Sequence, residues 1–267
     1  MNDLTVNIKK IFNKIIDFVR YLNTLTLLFN VTPIGEKDFI IVTAADSSHH
    51  KSLKNLLSSI VLHEKHAKVI IFDLGLTKSQ VKEIKKKFKK MEIRKFNFSK
   101  YPSYLDIKVN AGEYAWKPVI ISNILNEFKC SVIWMDAGNI ILSPLRTIKK
   151  ILNFTGFYVP YSRLKISDTT HYKTLKFLKV SKDTLYKQNV CAACIAVNYK
   201  FTNIEKTISK WKKCALIKKC IAPKGSSRKN HRQDQAVLGV LAHQDDIINP
   251  LLINMYYFGF KIQQDID

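Results

Sequence analysis

A carboxylate follows a strongly apolar stretch near the middle of the chain. Asp136 comes directly after the run Val132–Met135 and is followed by Ala137, Gly138 and Asn139. The apolar run predicts a buried strand, and open α/β sheets bind their ligands just beyond the carboxyl ends of strands. The position therefore favours Asp136 as part of a ligand site. A turn or a helix cap is the alternative for an aspartate placed after a strand.

A second set of reactive side chains lies in the polar loop at 223–235, where Asp234 stands at the threshold of an apolar helix. The hydrogen-bond donors of this loop are Arg228, Lys229, His231 and Arg232. Guanidinium groups neutralise phosphates, and a carboxylate can take a proton from a hydroxyl group. The loop therefore indicates anion binding beside a candidate base. The alternative is a helix N-terminal carboxylate flanked by solvated cations.

Two strand–helix units precede these residues and would position them. Residues 39–44 are apolar and β-branched, and helical periodicity follows at 53–61. The pattern repeats with a strand at 68–73 and a lysine-rich helix that begins at Thr77. This alternation predicts an α/β fold with a parallel sheet, and a third strand is predicted at 91–98.

The ends of the first two strands suit a nucleotide. Thr43, Ala44 and Ala45 are small enough to let a ligand approach the backbone, beside a helix start whose free amides attract anions. Asp73 ends the second strand, where a carboxylate suits a ribose or a base. The chain contains no G-x-G-x-x-G and no G-K-[ST] sequence, which excludes a Rossmann dinucleotide site and a P-loop.

Lys117 lies one residue before Pro118, which suits the first turn of a helix through Leu125. A lysine near a helix N-terminus is disfavoured by the helix dipole. A lysine in this unfavourable position indicates an anionic partner that compensates for the dipole. The alternative is an exposed lysine before an ordinary helix start.

The remaining elements complete the predicted sheet and its helices. A fourth strand is predicted at 131–136 and a small-residue strand ends in Asn198. The other predicted elements are a helix at 145–152, a strand at 157–161 and a helix at 201–217. Residues 162–189 are polar, and their pattern does not decide between helix and loop.

Composition bounds the class of protein and its partners. The 267 residues are 46% hydrophobic, which suffices for a folded domain with a sizeable core. Lys and Arg number 44 against 21 Asp and Glu, so the net charge of +23 attracts anions. Phosphorylated ligands, acidic membranes and nucleic acids are the candidate partners, while lysine runs such as 85–87 are typical of a solvated helix face.

Five cysteines accompany no signal sequence, which predicts free thiols and a cytoplasmic location. Two alternatives remain open. Cys191, Cys194, Cys214 and Cys220 offer four thiols for a structural zinc. Cys214 and Cys220 can instead form a bridge if the protein is luminal.

Residues 1–32 form a predicted segment separate from the domain at 33–267, with Pro33-Ile34-Gly35 marking the boundary. The segment predicts an amphipathic helix within residues 1–30, with a basic surface and no stretch long enough to cross a bilayer. Its apolar face contains Ile8, Ile11, Phe12, Ile15, Ile16, Val19 and Leu22. Such a face suits either the surface of an anionic membrane or the protein's own core.

Five short motifs occur in an informative order, in Val42–Ala45, Phe72–Gly75, Trp116–Pro118, Trp134–Gly138 and His231–Gln235. Together they resemble the GT-A nucleotide-diphospho-sugar glycosyltransferases over residues 38–245, in particular little-characterised families with T-A-A-S/D, W-K-P, D-A-G and H-R-x-D-Q motifs. The resemblance implies one α/β domain with a central mixed, mostly parallel sheet flanked by helices. Its nucleotide-binding half would span about 38–143 and its acceptor half about 144–250.

The resemblance also implies an activity and a set of binding residues. A sugar would pass from a nucleotide-diphosphate donor, a UDP-sugar, to a hydroxyl of a glycan or lipid-linked acceptor. Thr43, Ala44, Ala45 and Asp73 would contact the nucleoside. Lys117, Arg228 and Arg232 would approach the diphosphate, beside Asp136, Ala137 and Gly138. Asn198 would contact a sugar.

The D-A-G sequence departs from the D-x-D metal motif of these enzymes, because Gly138 replaces the second aspartate. Mn²⁺ or Mg²⁺ would be held by Asp136, with His231 adding a nitrogen ligand and the diphosphate adding oxygens. The alternative is metal-free neutralisation of the diphosphate by Lys117, Arg228 and Arg232. Asp234 is the candidate base for an inverting transfer, whereas in a retaining transfer it would bind a sugar.

The main alternative function is that of a non-catalytic protein that binds nucleic acid or another polyanion, suggested by the net charge of +23. No helix-turn-helix, zinc finger or aromatic RNA-binding strand supports it, and the basic residues are spread over many helices. The sequence therefore favours the transferase, with no nucleic-acid partner expected.

Overall fold

Strands and helices alternate through most of the chain in the computed structural model, which describes residues 3–249, 252 and 258–267. The strands are β1 (Phe39–Asp46), β2 (Lys68–Gly75), β3 (Glu92–Lys95), β4 (Ser131–Met135), β5 (Ile140–Ile141), β6 (Phe157–Tyr158), β7 (Tyr161–Lys165), β8 (Gln188–Val190), β9 (Cys194–Asn198) and β10 (Phe260–Lys261). The helices are α1 (Asp3–Leu27), α2 (His50–His63), α3 (Lys78–Lys87), α4 (Trp116–Phe128), α5 (Arg146–Phe154), α6 (Ile166–Thr169), α7 (Tyr172–Phe177), α8 (Lys182–Tyr186), α9 (Thr202–Ala215), α10 (Lys218–Ile221) and α11 (Gln233–Gln244).

The central sheet has six strands in the order β3-β2-β1-β4-β9-β6. Strands β1 to β4 run parallel to one another, with Val42 opposite Ile70 on one side and Trp134 on the other. Strand β9 runs antiparallel to both β4 and β6. This arrangement confirms the predicted mixed, mostly parallel α/β fold. It also brings the carboxyl ends of β1, β2 and β4 to the same edge as the amino end of β9.

Both faces of the sheet are covered, because its strands are apolar on both sides. Ile40, Val42 and Ala44 face a core formed with α4, α9 and α11. Phe39 and Ile41 face the opposite core, formed with α2, α3 and α5. Strands buried on both faces hold their ends rigidly, so side chains at the sheet edge have defined positions.

The predicted elements are present at residues 39–135, and the ends of the observed helices and strands differ from the predicted ends by at most three residues. The predicted strand at 157–161 is divided between β6 and β7. The undecided segment 162–189 contains α6, α7, α8 and most of β8. In the first turn of α2, His50 is buried, with its Nε2 atom 3.4 Å from Glu83.

The N-terminal helix α1 leaves most of its described apolar side chains exposed. Its contacts with the rest of the protein include an ion pair of 2.7 Å between Asp17 and Arg163. Beyond its last turn, Lys150 donates to the carbonyl oxygen of Leu28 at 2.8 Å. Apolar residues of α1 that are at least 40% exposed are Ile8, Ile11, Phe12, Ile15, Phe18, Val19, Leu22, Leu25 and Leu27. Across the described ranges, none of the helices combines the length and the apolar character that a bilayer span requires.

Cys214 and Cys220 form a disulfide with a Cα–Cα distance of 5.3 Å, which links the end of α9 to α10. Cys130, Cys191 and Cys194 are free thiols. The four-thiol zinc site considered from the sequence is therefore not formed, because two of its members bind each other. In the described part of the chain, no cluster of three or more His, Cys, Asp or Glu side chains is placed to hold a metal.

Candidate functional site

A cleft of about 810 Å³ opens at the sheet edge where β1 and β4 end. Its floor includes Ala44, Ala45 and the segment 136–139, and the residues that precede β9 form one wall. The loop before α11 contributes Arg228 and Arg232, and the first turn of α11 contributes Gln233, Asp234 and Gln235. The topology thus brings the two groups of reactive side chains in the sequence to one place.

A buried lysine joins these two groups. Lys117 lies on the first turn of α4, and its side chain is 4% exposed. Its Nζ atom lies 2.9 Å from Oδ1 of Asp136 and 3.1 Å from Oδ2 of Asp234. The same ammonium donates to the carbonyl oxygen of Ala192 at 3.2 Å. Three acceptor oxygens therefore lie within 3.2 Å of an ammonium that has three N–H groups.

The charges of this Lys117–Asp136–Asp234 cluster depend on one another. Burial alone would lower the pKa of Lys117, but Asp136 and Asp234 outweigh it and raise the pKa of that ammonium. Burial raises the pKa of Asp234, against the lowering effect of Lys117. Lys117 therefore remains charged and fixes the positions of both carboxylates.

Two carboxylates from other parts of the chain explain why a lysine is tolerated at this helix start. The helix dipole disfavours a cation there, and two carboxylates compensate for it. The predicted anionic partner of Lys117 is thus supplied by the protein itself, and the lysine positions Asp136 and Asp234. Trp134 adds a further constraint, since its Nε1 donates to Oδ1 of Asp136 at 2.7 Å.

The mouth of the cleft carries cations that are better placed for an anionic ligand. The guanidinium of Arg228 lies over the ring of Tyr114, 5.2 Å from its centroid, and donates to the tyrosine hydroxyl. Arg232 is exposed beside Asp234 in the sequence. A guanidinium has five N–H donors, so Arg228 keeps several available after its contact with Tyr114.

Most of the residues singled out in the sequence line this cleft. They are Ala44, Ala45, Lys117, Asp136, Ala137, Gly138, Arg228, Arg232 and Asp234. Thr43, Asp73, Asn198 and His231 do not. Thr43 is fully buried one residue before the cleft, and its hydroxyl oxygen has no hydrogen-bond partner among the described residues.

Asp73 and Asn198 are occupied by structural contacts. Oδ1 of Asp73 accepts from the backbone amides of Gly75 and Leu76, at 2.8 and 2.7 Å, and so opens the turn after β2. Asn198 ends an antiparallel strand, where it pairs with Ser131 at the edge opposite to Asp136. The structure therefore does not bring Asn198 to the cleft, because its strand runs in the reverse direction.

His231 is not placed to bind a metal. It is fully buried, its Nδ1 accepts from the backbone amide of His171 at 3.2 Å, and its Nε2 lies 2.8 Å from the carbonyl oxygen of Ile221. Burial lowers the pKa of the ring, which keeps it neutral with one donor and one acceptor. Both nitrogens are therefore used in holding the loop before α11.

The carboxylate of Asp136 is compatible with a divalent cation that is completed by a ligand. Its side chain is 39% exposed, and Lys117 and Trp134 both contact the same oxygen, Oδ1. Mg²⁺ is commonly held by one or two carboxylates together with substrate phosphates. The sequence analysis missed Asp265, which lines the cleft beside Gly138. Its only sequence signal is an acidic side chain in the final residues, with no motif around it.

Solved structures with the same architecture are glycosyltransferases. Core-mannan synthase A (CmsA/Ktr4) from Aspergillus fumigatus, in a Mn/GDP form, has a TM-score of 0.53 at 6% identity, covering 77% of this chain and 69% of that one. An active-site mutant of LgtC has a TM-score of 0.50 at 13% identity, with coverages of 83% and 86%. The bifunctional glycosyltransferase WbbM also gives 0.50 at 13% identity, over 79% of this chain but 38% of that larger one.

The chain therefore has the fold of the GT-A glycosyltransferases. In sequence, residues 9–122 match a family described as "Protein of unknown function (DUF1647)". The matched residues are less than half of the chain. No curated protein matches the chain.

Asp73 and Asp136 both follow strands, and the variant Asp73→Asn tests whether Asp73 belongs to the binding site. We expect unchanged affinity for a nucleoside diphosphate, because Asp73 does not line the cleft, and a loss of about 1 kcal/mol in stability from the weakened turn. Chemical denaturation and calorimetric titration measure the two quantities. A tenfold loss of nucleotide affinity at unchanged stability would return Asp73 to the binding site.

Proposed function

We propose that the protein is a glycosyltransferase that moves a sugar from a nucleoside-diphosphate donor, a UDP-sugar, to a hydroxyl of a glycan or lipid-linked acceptor. The observation that carries the proposal is the Lys117–Asp136–Asp234 cluster at the ligand-binding edge of a GT-A sheet. Buried charges are costly unless they are paired, so a protein retains such a cluster beside a cleft mainly where it serves a site.

The lining of the cleft supports a donor with an apolar and an anionic part. Ala44 and Ala45 leave room for a nucleoside against the end of β1, since their side chains are small. Arg228 and Arg232 would neutralise the diphosphate that leaves during transfer. Mn²⁺ or Mg²⁺, where bound, would stabilise the same charge, with Asp136 as its ligand from the D-A-G sequence.

Asp234 is the group that we assign to proton transfer from the acceptor hydroxyl. Its carboxylate faces the cleft, and burial raises its pKa and hence its basicity relative to an ordinary aspartate. In a transfer with retention of configuration, the same carboxylate would orient a sugar hydroxyl.

Release of UDP from a panel of UDP-sugars tests this proposal directly. We expect release that depends on one donor, that is enhanced by Mn²⁺, and that disappears in Asp234→Asn. A coupled assay for the free nucleotide measures it, with GDP-sugars tested in parallel. Absence of release from every donor, with glycan and lipid-linked acceptors present, would contradict the proposal.

We further propose that α1 attaches the protein to anionic membranes. Ile11, Phe12 and Ile15 are 59%, 61% and 55% exposed, although a helix of this amphipathic pattern normally buries such a face. Apolar insertion together with attraction between a net charge of +23 and acidic lipid headgroups would provide the affinity. The membrane-proximal position would suit a lipid-linked acceptor.

Co-sedimentation with phosphatidylcholine vesicles, with and without phosphatidylserine, measures this attachment. We expect binding to the anionic vesicles that weakens with salt and falls at least about tenfold in the variant I11S/F12S/I15S, since each apolar side chain contributes about 1.5–3 kcal/mol when buried. V61S/L62S is the matched control, because Val61 and Leu62 are exposed apolar residues outside α1. Equal sedimentation of all three proteins would contradict membrane attachment through α1.

Nucleic-acid binding is the less favoured alternative. The cations at the cleft mouth accompany two carboxylates, which repel a polynucleotide backbone at that position. A salt-dependent mobility shift with random DNA, in a protein that releases no UDP, would favour the alternative.

A further inference from the structure

The final residues of the chain return to the cleft along a defined path. Strand β10 pairs with β5, directly after the D-A-G sequence, with Phe260 opposite Ile141. The backbone amide of Gln264 then donates to the carbonyl oxygen of Gly138 at 2.7 Å. This stretch, residues 260–267, is called the tail below.

The last residue fixes the other end of the tail. The carboxylate oxygens of Asp267 accept from the backbone amides of Lys51 and Ser52, at 2.8 and 3.0 Å, in the first turn of α2. The amide of Ile266 also donates to the hydroxyl of Ser52 at 2.9 Å. Asp265 is therefore held between two anchored neighbours and lines the cleft.

Gly138 is the position at which the D-x-D motif would have its second aspartate, and the carboxylate of Asp265 occupies the space beside it. A Cβ atom at position 138 would overlap this carboxylate, because it would lie 2.6 Å from both Cγ and Oδ2 of Asp265 and closer still to Oδ1. The carboxylate of Asp265 therefore fills the space that a side chain at position 138 would enter. The tail thus places a carboxylate where an aspartate at position 138 would have placed one.

We propose that Asp265 supplies the second carboxylate of a divalent-cation site, which it forms with Asp136 and the diphosphate of the donor. This inference rests on the proposed function. It identifies Asp265 as a metal ligand for Mn²⁺ or Mg²⁺, and it explains how a chain with glycine in its D-A-G sequence retains two acidic ligands.

The surroundings of the two carboxylates fit a divalent cation. Within the described residues, Asp265 has no hydrogen bond or ion pair from its side chain, and Oδ2 of Asp136 accepts no hydrogen bond. Asn139, which also lines the cleft, is fully buried, and its Oδ1 atom has no hydrogen-bond partner in the described part of the chain. Hard oxygen ligands of this kind suit Mg²⁺ and Mn²⁺, and phosphate oxygens complete their coordination.

Asp267 provides an internal contrast. Its carboxylate oxygens accept from the backbone amides of Lys51 and Ser52. Asp265, two residues earlier, has no such structural use. Asp267 therefore anchors the tail, whereas the carboxylate of Asp265 remains available to bind a cation.

Mn²⁺ binding, measured by electron paramagnetic resonance with UDP as the diphosphate probe, tests the proposal without reference to activity. We expect Asp265→Asn to weaken Mn²⁺ binding at least about tenfold, the scale seen when groups around a metal are removed. The double variant G138D/D265A should recover the affinity, because it returns an acidic ligand to position 138 and removes the side chain that would overlap it. Asp183→Asn, which removes an exposed carboxylate outside the cleft, is the matched control and should bind as the wild type does.

The outcomes separate this proposal from the proposed function. Equal Mn²⁺ affinity in the wild type and Asp265→Asn, or UDP binding that needs no metal, would overturn the role of Asp265 and leave the transferase proposal standing. Weakened binding without recovery in G138D/D265A would overturn it too, because the tail rather than its carboxylate would then matter. A wild-type protein that binds neither UDP nor UDP with Mn²⁺ would contradict the proposed function itself.

Discussion

Lys117→Met is expected to lower the free energy of unfolding by about 3–5 kcal/mol and to abolish sugar transfer. The substitution keeps the apolar stem but leaves the buried carboxylate of Asp234 without its cation, and an uncompensated buried charge costs this much. It also releases Asp136 from its fixed position in the cleft. Urea denaturation measures the first effect, and the UDP-release assay measures the second.

Lys149→Met is a matched control for the loss of a buried lysine. Lys149 is buried and pairs with Glu64 at 2.6 Å and Glu36 at 2.9 Å, and it does not line the cleft. We expect a similar loss of stability with unchanged turnover per folded molecule. If Lys117→Met retained turnover, or if Lys149→Met lost it equally, the cluster around Lys117 would have no specific role in catalysis.

The pH dependence of Lys117→Met follows from Asp234. Burial already raises the pKa of that carboxyl, and removal of the lysine takes away the charge that opposes the increase. An acid with a raised folded-state pKa loses stability as the pH rises from its ordinary value of about 3.9 through the raised value. The stability difference between wild type and variant should therefore be smallest in acid. A difference that grew toward low pH would contradict this assignment.

Asp136→Asn is expected to reduce turnover about 10²–10³-fold while the stability changes by no more than about 1 kcal/mol. The amide is the same size and can still accept from Trp134, but it lacks the charge that positions a cation and the donor. The small stability effect follows because Asp136 is 39% exposed and Lys117 keeps Asp234 as a partner.

Turnover in Asp136→Asn is compared with that of Asp183→Asn, which removes the same charge from an exposed position outside the cleft. The control should retain wild-type turnover. Retained turnover in Asp136→Asn would remove Asp136 from the site, whereas equal losses in both variants would assign the effect to net charge alone.

The sequence predicted the sheet, with Asp136 at its edge, because these features depend on local patterns and on one general rule. Lys117 and Asp234 were placed at the site by the resemblance to GT-A enzymes, with the diphosphate rather than the two carboxylates as the expected partner of Lys117. Apolar runs locate strands, and parallel strands place their carboxyl ends at one edge. The same rule did not place Asn198 correctly. Hydrophobic periodicity is the same in either chain direction, so it did not reveal that β9 runs antiparallel and carries Asn198 away from the cleft.

His231 and Asp265 show a different limit. The two partners that occupy His231 come from His171 and Ile221, in segments whose positions no local pattern predicts. Asp265 reaches Gly138 only because the tail is anchored on β5 and on α2. Contacts between distant segments depend on the whole fold, and they decide which polar side chains remain available for a ligand.

Thermal unfolding of the wild-type protein with UDP and Mn²⁺ tests the central claim most directly, because a ligand that binds only the folded state stabilises it. We predict an increase in Tm with UDP and Mn²⁺ together, corresponding to about 2.7 kcal/mol when UDP is present at about 100 times its Kd. The increase should be absent in Asp136→Asn. An unchanged Tm with every nucleoside diphosphate, with or without Mn²⁺ or Mg²⁺, would contradict a nucleotide-sugar site in this cleft.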